Sequence, residues 1–242
     1  MKIVILGYGK MGREVEQVAL QRGHEVAYRI DTEQDWYRNI EGIADCDVVI
    51  EFSTPATAIA NIEKCFELDI PIVIGTTGWH VHLDDISSRC KNEGHTLFYA
   101  PNFSIGMNFV FKLNKEMARF ARKHGYQLDV TETHHIHKLD KPSGTAVKLA
   151  EDIIDNNDNY EYWMLNDDDD AQGDEDKMLR VNAIREGETF GIHEVKALSD
   201  CDEITLRHEA FSRKGFATGA VIAAEFIKDK KGIFTMEELI NL

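Results

Sequence analysis

The chain opens on KIVIL (2–6), followed at once by GYGKMG (7–12). A continuous apolar run of this length reads as a strand buried on both faces, and few architectures cover a strand on both sides. The glycines at 7, 9 and 12 fit G-x-G-x-x-G at the head of a helix. They allow a tight turn and the close approach of a pyrophosphate, whose charge meets the helix N-terminus. Asp31 lies nineteen residues beyond Gly12, at the end of the next apolar run. A carboxylate there would accept hydrogen bonds from adenosine ribose hydroxyls. Without that context the motif would be only a glycine-rich turn of an α/β protein that binds no nucleotide. The same carboxylate would repel a 2′-phosphate, so NADH is favoured over NADPH, although Lys10 and Arg13 could soften the repulsion.

The pattern continues as alternating strands and helices. HEVAYRID (24–31), DVVIEFS (47–53), PIVIGTTG (71–78) and HTLFYAPNFS (95–104) read as further strands. Residues 7–23, 54–69 and 82–94 read as helices, with Thr54 and Pro55 opening the second. A short polar segment precedes the third strand. Such alternation predicts a parallel sheet with right-handed crossovers. GTTG and APNFS end predicted strands, the edge where open sheets bind ligands. There backbone groups of Gly75, Thr76, Thr77, Ala100, Pro101, Asn102 and Phe103 could hold the nicotinamide amide and ribose, the plain alternative for each stretch being a loop with a helix cap.

Beyond residue 104 the periodicity changes. A longer helix (109–125) precedes YQLDVTETHHIHK (126–138), which alternates like a half-exposed strand. A helix from 145 to 154 follows, and then a polar stretch at 157–178 containing NDDDDAQGDED (166–176), read as a solvated loop. Residues 178–211 read as three antiparallel strands turning at Glu186-Gly187 and Ser199-Asp200, and the C-terminal segment returns to helix. The expected fold is α/β: a Rossmann-type dinucleotide-binding domain at 1–104, with 216–242 packing back on it, and an α+β substrate-binding and oligomerisation domain at 105–215.

Charge and cysteines narrow the function classes. A formal net charge of −16 over 242 residues argues against nucleic acid and anionic membranes as partners. Four scattered cysteines without CxxC spacing fit reduced thiols. No apolar run approaches the ~20 residues of a membrane span, and MKIVILGYG is too short for a signal peptide. The expected location is the cytoplasm.

Against that acidity, HHIHK (134–138) stands out, with Pro142-Ser143-Gly144-Thr145 opening a helix just after it. Read as a continuing strand, His135 and His137 share one face and His134 takes the other. That leaves too few ligands on a face for zinc, so no metal is expected. Histidines hydrogen-bonded along an edge strand are the structural alternative. The third reading is an anion site that moves a proton: Lys138 is a cation, histidine exchanges protons near neutral pH, and a helix N-terminus makes a carboxylate-sized pocket.

The motif E-x-H-H-x-H-K-x-D-x-P-S-G-T-A, standing as Glu132, His134, His135, His137, Lys138, Asp140, Pro142, Ser143, Gly144, Thr145 and Ala146, resembles the substrate motif of the 4-hydroxy-tetrahydrodipicolinate (dihydrodipicolinate) reductase family of lysine and diaminopimelate biosynthesis. The resemblance extends through the glycine loop, EFSTP, GTTG, APNFSIGMN and FSRKGFATGA (211–220). It implies an NAD(P)H-dependent oxidoreductase that makes tetrahydrodipicolinate from a cyclic dicarboxylate, and a homotetramer built on the substrate-domain sheet. It implies His134 as general acid, Lys138 as second catalytic residue, and His135, Gly144 and Thr145 as substrate contacts. Gly7, Tyr8, Gly9, Lys10, Met11, Gly12, Asp31, Gly75–Thr77 and Ala100–Phe103 are implied as nucleotide contacts. The chain departs from the family pattern in a shorter glycine loop carrying Tyr8, in Ile136 and Lys141, and in Asp31-Thr32 where an acidic-Arg pair is frequent. The last departure removes a partner for a 2′-phosphate. Another small Rossmann reductase would leave HHIHK…PSGT unexplained, and an NADH-binding redox sensor would need a partner surface that the sequence does not show.

Overall fold

The computed structural model describes residues 1–166 and 174–240. In chain order the elements are β1 (Lys2–Leu6), α1 (Lys10–Gln21), β2 (Glu25–Ile30), α2 (Glu33–Ala44), β3 (Val48–Glu51), α3 (Pro55–Glu67), β4 (Ile72–Ile74), α4 (Leu83–Glu93), β5 (Thr96–Tyr99), α5 (Ile105–His124), β6 (Gln127–His134), α6 (Gly144–Asn156), β7 (Tyr162–Leu165), β8 (Met178–Arg185), β9 (Ile192–Leu198), β10 (Glu203–Glu209), α7 (Lys214–Ile227), β11 (Gly232–Phe234) and α8 (Met236–Ile240). They divide into two compact units, Met1–Ile105 with Arg213–Leu242, and Gly106–Ser212.

The first unit is a six-stranded sheet in the order β11-β5-β4-β3-β1-β2, with every neighbouring pair parallel. Strand alternation sorts its apolar residues onto two cores. Ile3, Ile5, Val48, Ile50, Val73 and Phe98 face α1 and α7, while Val4, Leu6, Val49, Ile72, Ile74 and Leu97 face α2, α3 and α4. That is why KIVIL reads as one unbroken apolar run: both sides of the strand are covered. Truncating a fully buried isoleucine such as Ile50 to alanine would cost about 2–5 kcal/mol. In α7 a methyl group on Gly219 would fall 1.8 Å from the carbonyl oxygen of Phe103, so the helix approaches the loop after β5 more closely than any side chain permits.

Two elements of this unit were not legible in the sequence. The polar segment before β3 is the helix α2, which buries only Trp36 and Ile43 and is started by a Thr32–Asp35 capping box. Its apolar stripe is too thin to show a helical period. The C-terminal segment, expected as helix throughout, also contributes β11, which pairs with β5.

The second unit is a five-stranded sheet in the order β10-β9-β6-β8-β7, with α5 and α6 over one face. The expected three-strand antiparallel succession is corrected: β6 lies between β8 and β9, parallel to the first and antiparallel to the second. The sheet is therefore mixed. Leu128 and Val130, buried against the helices, give β6 its central place. Residues 157–178 are not wholly loop, because Tyr162–Leu165 forms β7 at the sheet edge, parallel to β8. Most of the acidic stretch expected at 166–176 lies outside the described residues. Among the described residues no helix is long and apolar enough to cross a membrane.

Candidate active site

In the first unit the strand order reverses between β1 and β3, and the loops after these strands open a cavity of about 430 Å³. Gly7, Gly9, Asp31, Thr32, Ser53, Thr57, Asn61 and Lys64 are among its lining residues. The glycines have different tasks. A methyl group on Gly7, whose φ is 90°, would meet the Phe52 carbonyl oxygen at 2.2 Å, and one on Gly12 would meet the Gly7 carbonyl oxygen at 2.3 Å. Gly9 has nothing within 4 Å of such a methyl, so the space at the head of α1 is open, as a pyrophosphate requires. Asp31 follows β2 directly, and its Oδ1 accepts from the Tyr8 N–H at 3.0 Å. The residues present thus fit a dinucleotide.

Tyr8 is anchored. Its hydroxyl donates to Glu16, which also pairs with Arg29, and the Arg13 guanidinium lies 5.1 Å from its ring centroid. Lys10 is exposed at the start of α1, and Met11 packs on the core. Gly75 carries no side chain because the Phe52 ring would lie 2.1 Å from it. Thr76 is buried, its Oγ1 accepting from the Ser53 N–H at 2.8 Å and its carbonyl from Trp79 Nε1 at 2.9 Å, while Thr77 is exposed. Ala100 and Phe103 are buried in the core, Phe103 against the rings of Phe52 and Phe98, so they offer a ligand their backbone only. Pro101 is exposed, and the Oδ1 of Asn102 accepts from the Ser104 N–H at 2.8 Å.

In the second unit, alternation along β6 carries one row of side chains from the core to the strand end: Leu128, Val130, Glu132, His134. The expected faces of HHIHK are corrected. The strand stops at His134, so His135–Lys138 form a turn held by His135 N–H to the Thr189 carbonyl (2.8 Å) and Lys138 N–H to the His135 carbonyl (3.1 Å). His134 is buried and pairs through Nδ1 with Glu132 Oε2. Glu132, fully buried, also takes Arg185 Nη1 at 2.9 Å and the Ser143 N–H at 3.2 Å on its Oε1. Burial by itself raises this carboxyl, but His134 and Arg185 outweigh it and hold it down at about 2.

His193 sits across β9 from Glu132, its ring centroid 5.1 Å from that of His134 and its Nε2 3.2 Å from Ser143 Oγ. Burial, then the neighbouring His134, pushes it down to about 3, so it is neutral near pH 7. Lys138 Nζ is 2.8 Å from Asp140, and Arg185 Nε reaches the Lys138 carbonyl at 3.3 Å. Ser143 caps α6, accepting from the Ala146 N–H at 3.2 Å. A methyl group on Gly144 would have nothing within 4 Å, leaving the head of α6, where Thr145 follows, approachable. His135 Nδ1 is buried without a hydrogen-bond partner among the described residues.

Glu132, His134 and His193 place ligand-type atoms within 4.8 Å of one another. Arg185 on the same carboxylate opposes a second cation there, and Ser143 already engages His193. The set is better suited to holding a proton than a metal. In the sequence Ser143 stood only as part of the helix start and Glu132 had no task, while Arg185, Gly191 and His193 drew no attention. Only Glu132 carried a signal, its spacing of two from His134 on a strand.

The chain matches the family model for the dihydrodipicolinate reductase N-terminus over residues 1–103 and that for its C-terminus over residues 106–240. It is 41% identical to the 4-hydroxy-tetrahydrodipicolinate reductase of Christiangramia forsetii, covering 100% of this chain and 98% of the relative. It is 34% identical to that of Methanopyrus kandleri, over 81% and 72% of the two chains. The dipicolinate-bound dihydrodipicolinate reductase from Paenisporosarcina sp. TG-14 superposes with a TM-score of 0.75 at 22% identity, covering 98% of each chain, and so shares the fold. With both halves of the chain matched in order and a full-length relative at this identity, the chain belongs to the dihydrodipicolinate reductase family.

Proposed function

We propose that His134 and Lys138 carry the family's reaction in this chain, with the dicarboxylate substrate held by His135, Gly144, Thr145 and the head of α6. As a member of this family the chain is an NAD(P)H-dependent 4-hydroxy-tetrahydrodipicolinate reductase of lysine and diaminopimelate biosynthesis. The observation that carries the assignment of roles is the convergence, at the end of β6, of a buried histidine paired with a carboxylate, a lysine in the adjoining turn and an approachable helix N-terminus.

The bound nicotinamide supplies the hydride. The chain's own residues do the rest. Lys138 and the α6 N-terminus oppose the substrate's carboxylate charge, and that opposition grows in value as negative charge spreads toward the ring nitrogen. The imidazolium of His134 then delivers its Nε2 proton to the neighbouring carbon. The N–H electron pair stays on Nε2, and the ring becomes neutral. The lysine's ion pair with Asp140 must loosen as substrate arrives, because both compete for one ammonium. The orphaned Nδ1 of His135 is matched by a ligand polar group.

The pocket around Asp31, Gly7–Gly12, Gly75–Thr77 and Ala100–Phe103 binds the nucleotide and prefers NADH. Asp31, Glu33 and Asp35 surround the start of α2, whose capping box already uses the Thr32 and Asp35 groups. The cations beside this helix start are engaged by its carboxylates: Lys64 is 3.3 Å from Glu33 and Arg38 is 3.8 Å from Asp35. A 2′-phosphate would therefore meet carboxylates. The outer face of the second sheet, with Ile184 and Leu198 exposed among charged residues, is the surface on which a cytoplasmic homotetramer would assemble.

The test is cofactor oxidation with freshly generated 4-hydroxy-tetrahydrodipicolinate, NADH and NADPH taken separately. Turnover with a higher kcat/KM for NADH supports the reading. NADH binding without turnover of this substrate would refute it.

A further inference from the structure

The contact between Glu132 and His134 goes further than placing a histidine near a substrate. The two side chains share one face of β6, and the carboxylate is fixed from three directions. His134 Nδ1 lies on Oε2, while Arg185 Nη1 and the Ser143 N–H lie on Oε1. Arg185 is itself held by the carbonyls of Lys138, Ile184 and Asp140, so its guanidinium cannot follow the carboxylate if that moves. We propose that Glu132 is the positioning residue of the proton donor: by accepting from Nδ1–H of His134 it fixes the ring and reserves Nε2 as the nitrogen that delivers the proton. This rests on the assignment of His134 as general acid.

The geometry at the other end of the ring agrees. A methyl group on Gly191 would lie 2.9 Å from His134 Nε2, so a residue without a side chain borders the nitrogen that must reach substrate. Glu132 on β6 and His193 on β9 contact the His134 ring, Arg185 on β8 pairs with Glu132, and Lys138 in the turn acts on His193, which has His208 of β10 paired across from it. Among these Glu132 is the one anion in contact with the ring. When the Nε2–H bond breaks toward carbon, the Nδ1–H remains on His134 and Glu132 remains a carboxylate. His193 stays neutral and does not compete for that proton.

The experiment combines 15N NMR of labelled imidazoles in the full chain, without substrate, with pH–rate profiles of the wild type and Glu132→Gln. The expected wild-type signature is a neutral His134 protonated at Nδ1. In Glu132→Gln that preference is lost and kcat falls on the order of 10–100-fold. The alkaline limb of its kcat/KM profile moves to lower pH, while NADH affinity is unchanged. A merely structural role would lower the folded fraction without moving either the tautomer or the limb. Should Glu132→Gln fail to fold, the wild-type tautomer and Arg185→Lys, expected to shift the same limb less, decide the matter. An active wild type with neutral His134 protonated at Nε2, or with an unmoved limb in the folded variant, overturns this inference alone. A wild type inert toward the substrate refutes the general-acid assignment and this inference with it.

Discussion

Gly191 lies edge-on to His134, so close that a methyl group on its Cα would stand 2.9 Å from the ring's Nε2. Its φ of 152° is one that residues with side chains rarely adopt. Gly191→Ala should therefore both strain the turn into β9 and displace the imidazole. A shift of about 1 Å at a reacting group can cost roughly a hundredfold. The expected result is kcat lower by about tenfold or more with NADH affinity intact. Unchanged kcat in a folded variant would show that Nε2 is not the working nitrogen.

Lys138 is the cation of the turn that follows β6, and Asp140 holds it at 2.8 Å. If its charge acts on the transition state as proposed, Lys138→Ala should slow turnover by on the order of a hundredfold or more and should leave NADH binding nearly unchanged. Stopped-flow turnover and fluorescence titration with NADH separate the two. Equal loss of both would place Lys138 in folding instead.

Asp31 stands at the end of β2 beside a helix start that already carries Glu33 and Asp35. Replacing it with serine removes the carboxylate that, in the proposed reading, binds ribose hydroxyls and repels a 2′-phosphate. The ratio of kcat/KM for NADPH to that for NADH should rise by about tenfold, roughly 1.4 kcal/mol of discrimination. A ratio that stays put would assign cofactor choice to the Tyr8–Arg13–Arg29 cluster.

His193 has its ionisation pushed down from 6.5 to about 3, first by burial and then by His134. The unfolded chain therefore binds a proton at this site that the folded chain refuses. That stability is fully present above pH 6.5 and is lost as pH falls toward 3, with a slope of up to about 1.4 kcal/mol per pH unit. Glu132, held at about 2, adds a loss of the same sign below pH 4.5. Urea unfolding at pH 7 and pH 5 should show a decline that His193→Asn reduces. An identical decline in the variant would exclude His193 as its source.

The first unit was legible where local pattern and burial agree. KIVIL had to be covered on both faces, G-x-G-x-x-G had to turn into a helix, and Asp31 had to fall at the next strand end. Helix α2 escaped because two buried residues, Trp36 and Ile43, make no visible period. In the second unit β6, β8, β9 and β10 were found, the edge strand β7 was not, and neither was the pairing. Nothing local in Met178–Arg185 says that it lies parallel to β6 instead of folding back on β9.

By itself the sequence determined which residues could be strand, helix and glycine turn, because side-chain size, branching and backbone freedom act within a few residues of one another. It also put a histidine, a lysine and a helix start within one short segment. Only the tertiary structure decided where β6 ends, and so which way His134 and His135 face. Only it brought Arg185 from β8, Gly191 from the loop before β9 and His193 from β9 itself to the carboxylate of Glu132 and the ring beside it. Those partners lie 50 or more residues away in sequence, and strand pairing across a buried sheet, which no local pattern encodes, is what makes them neighbours.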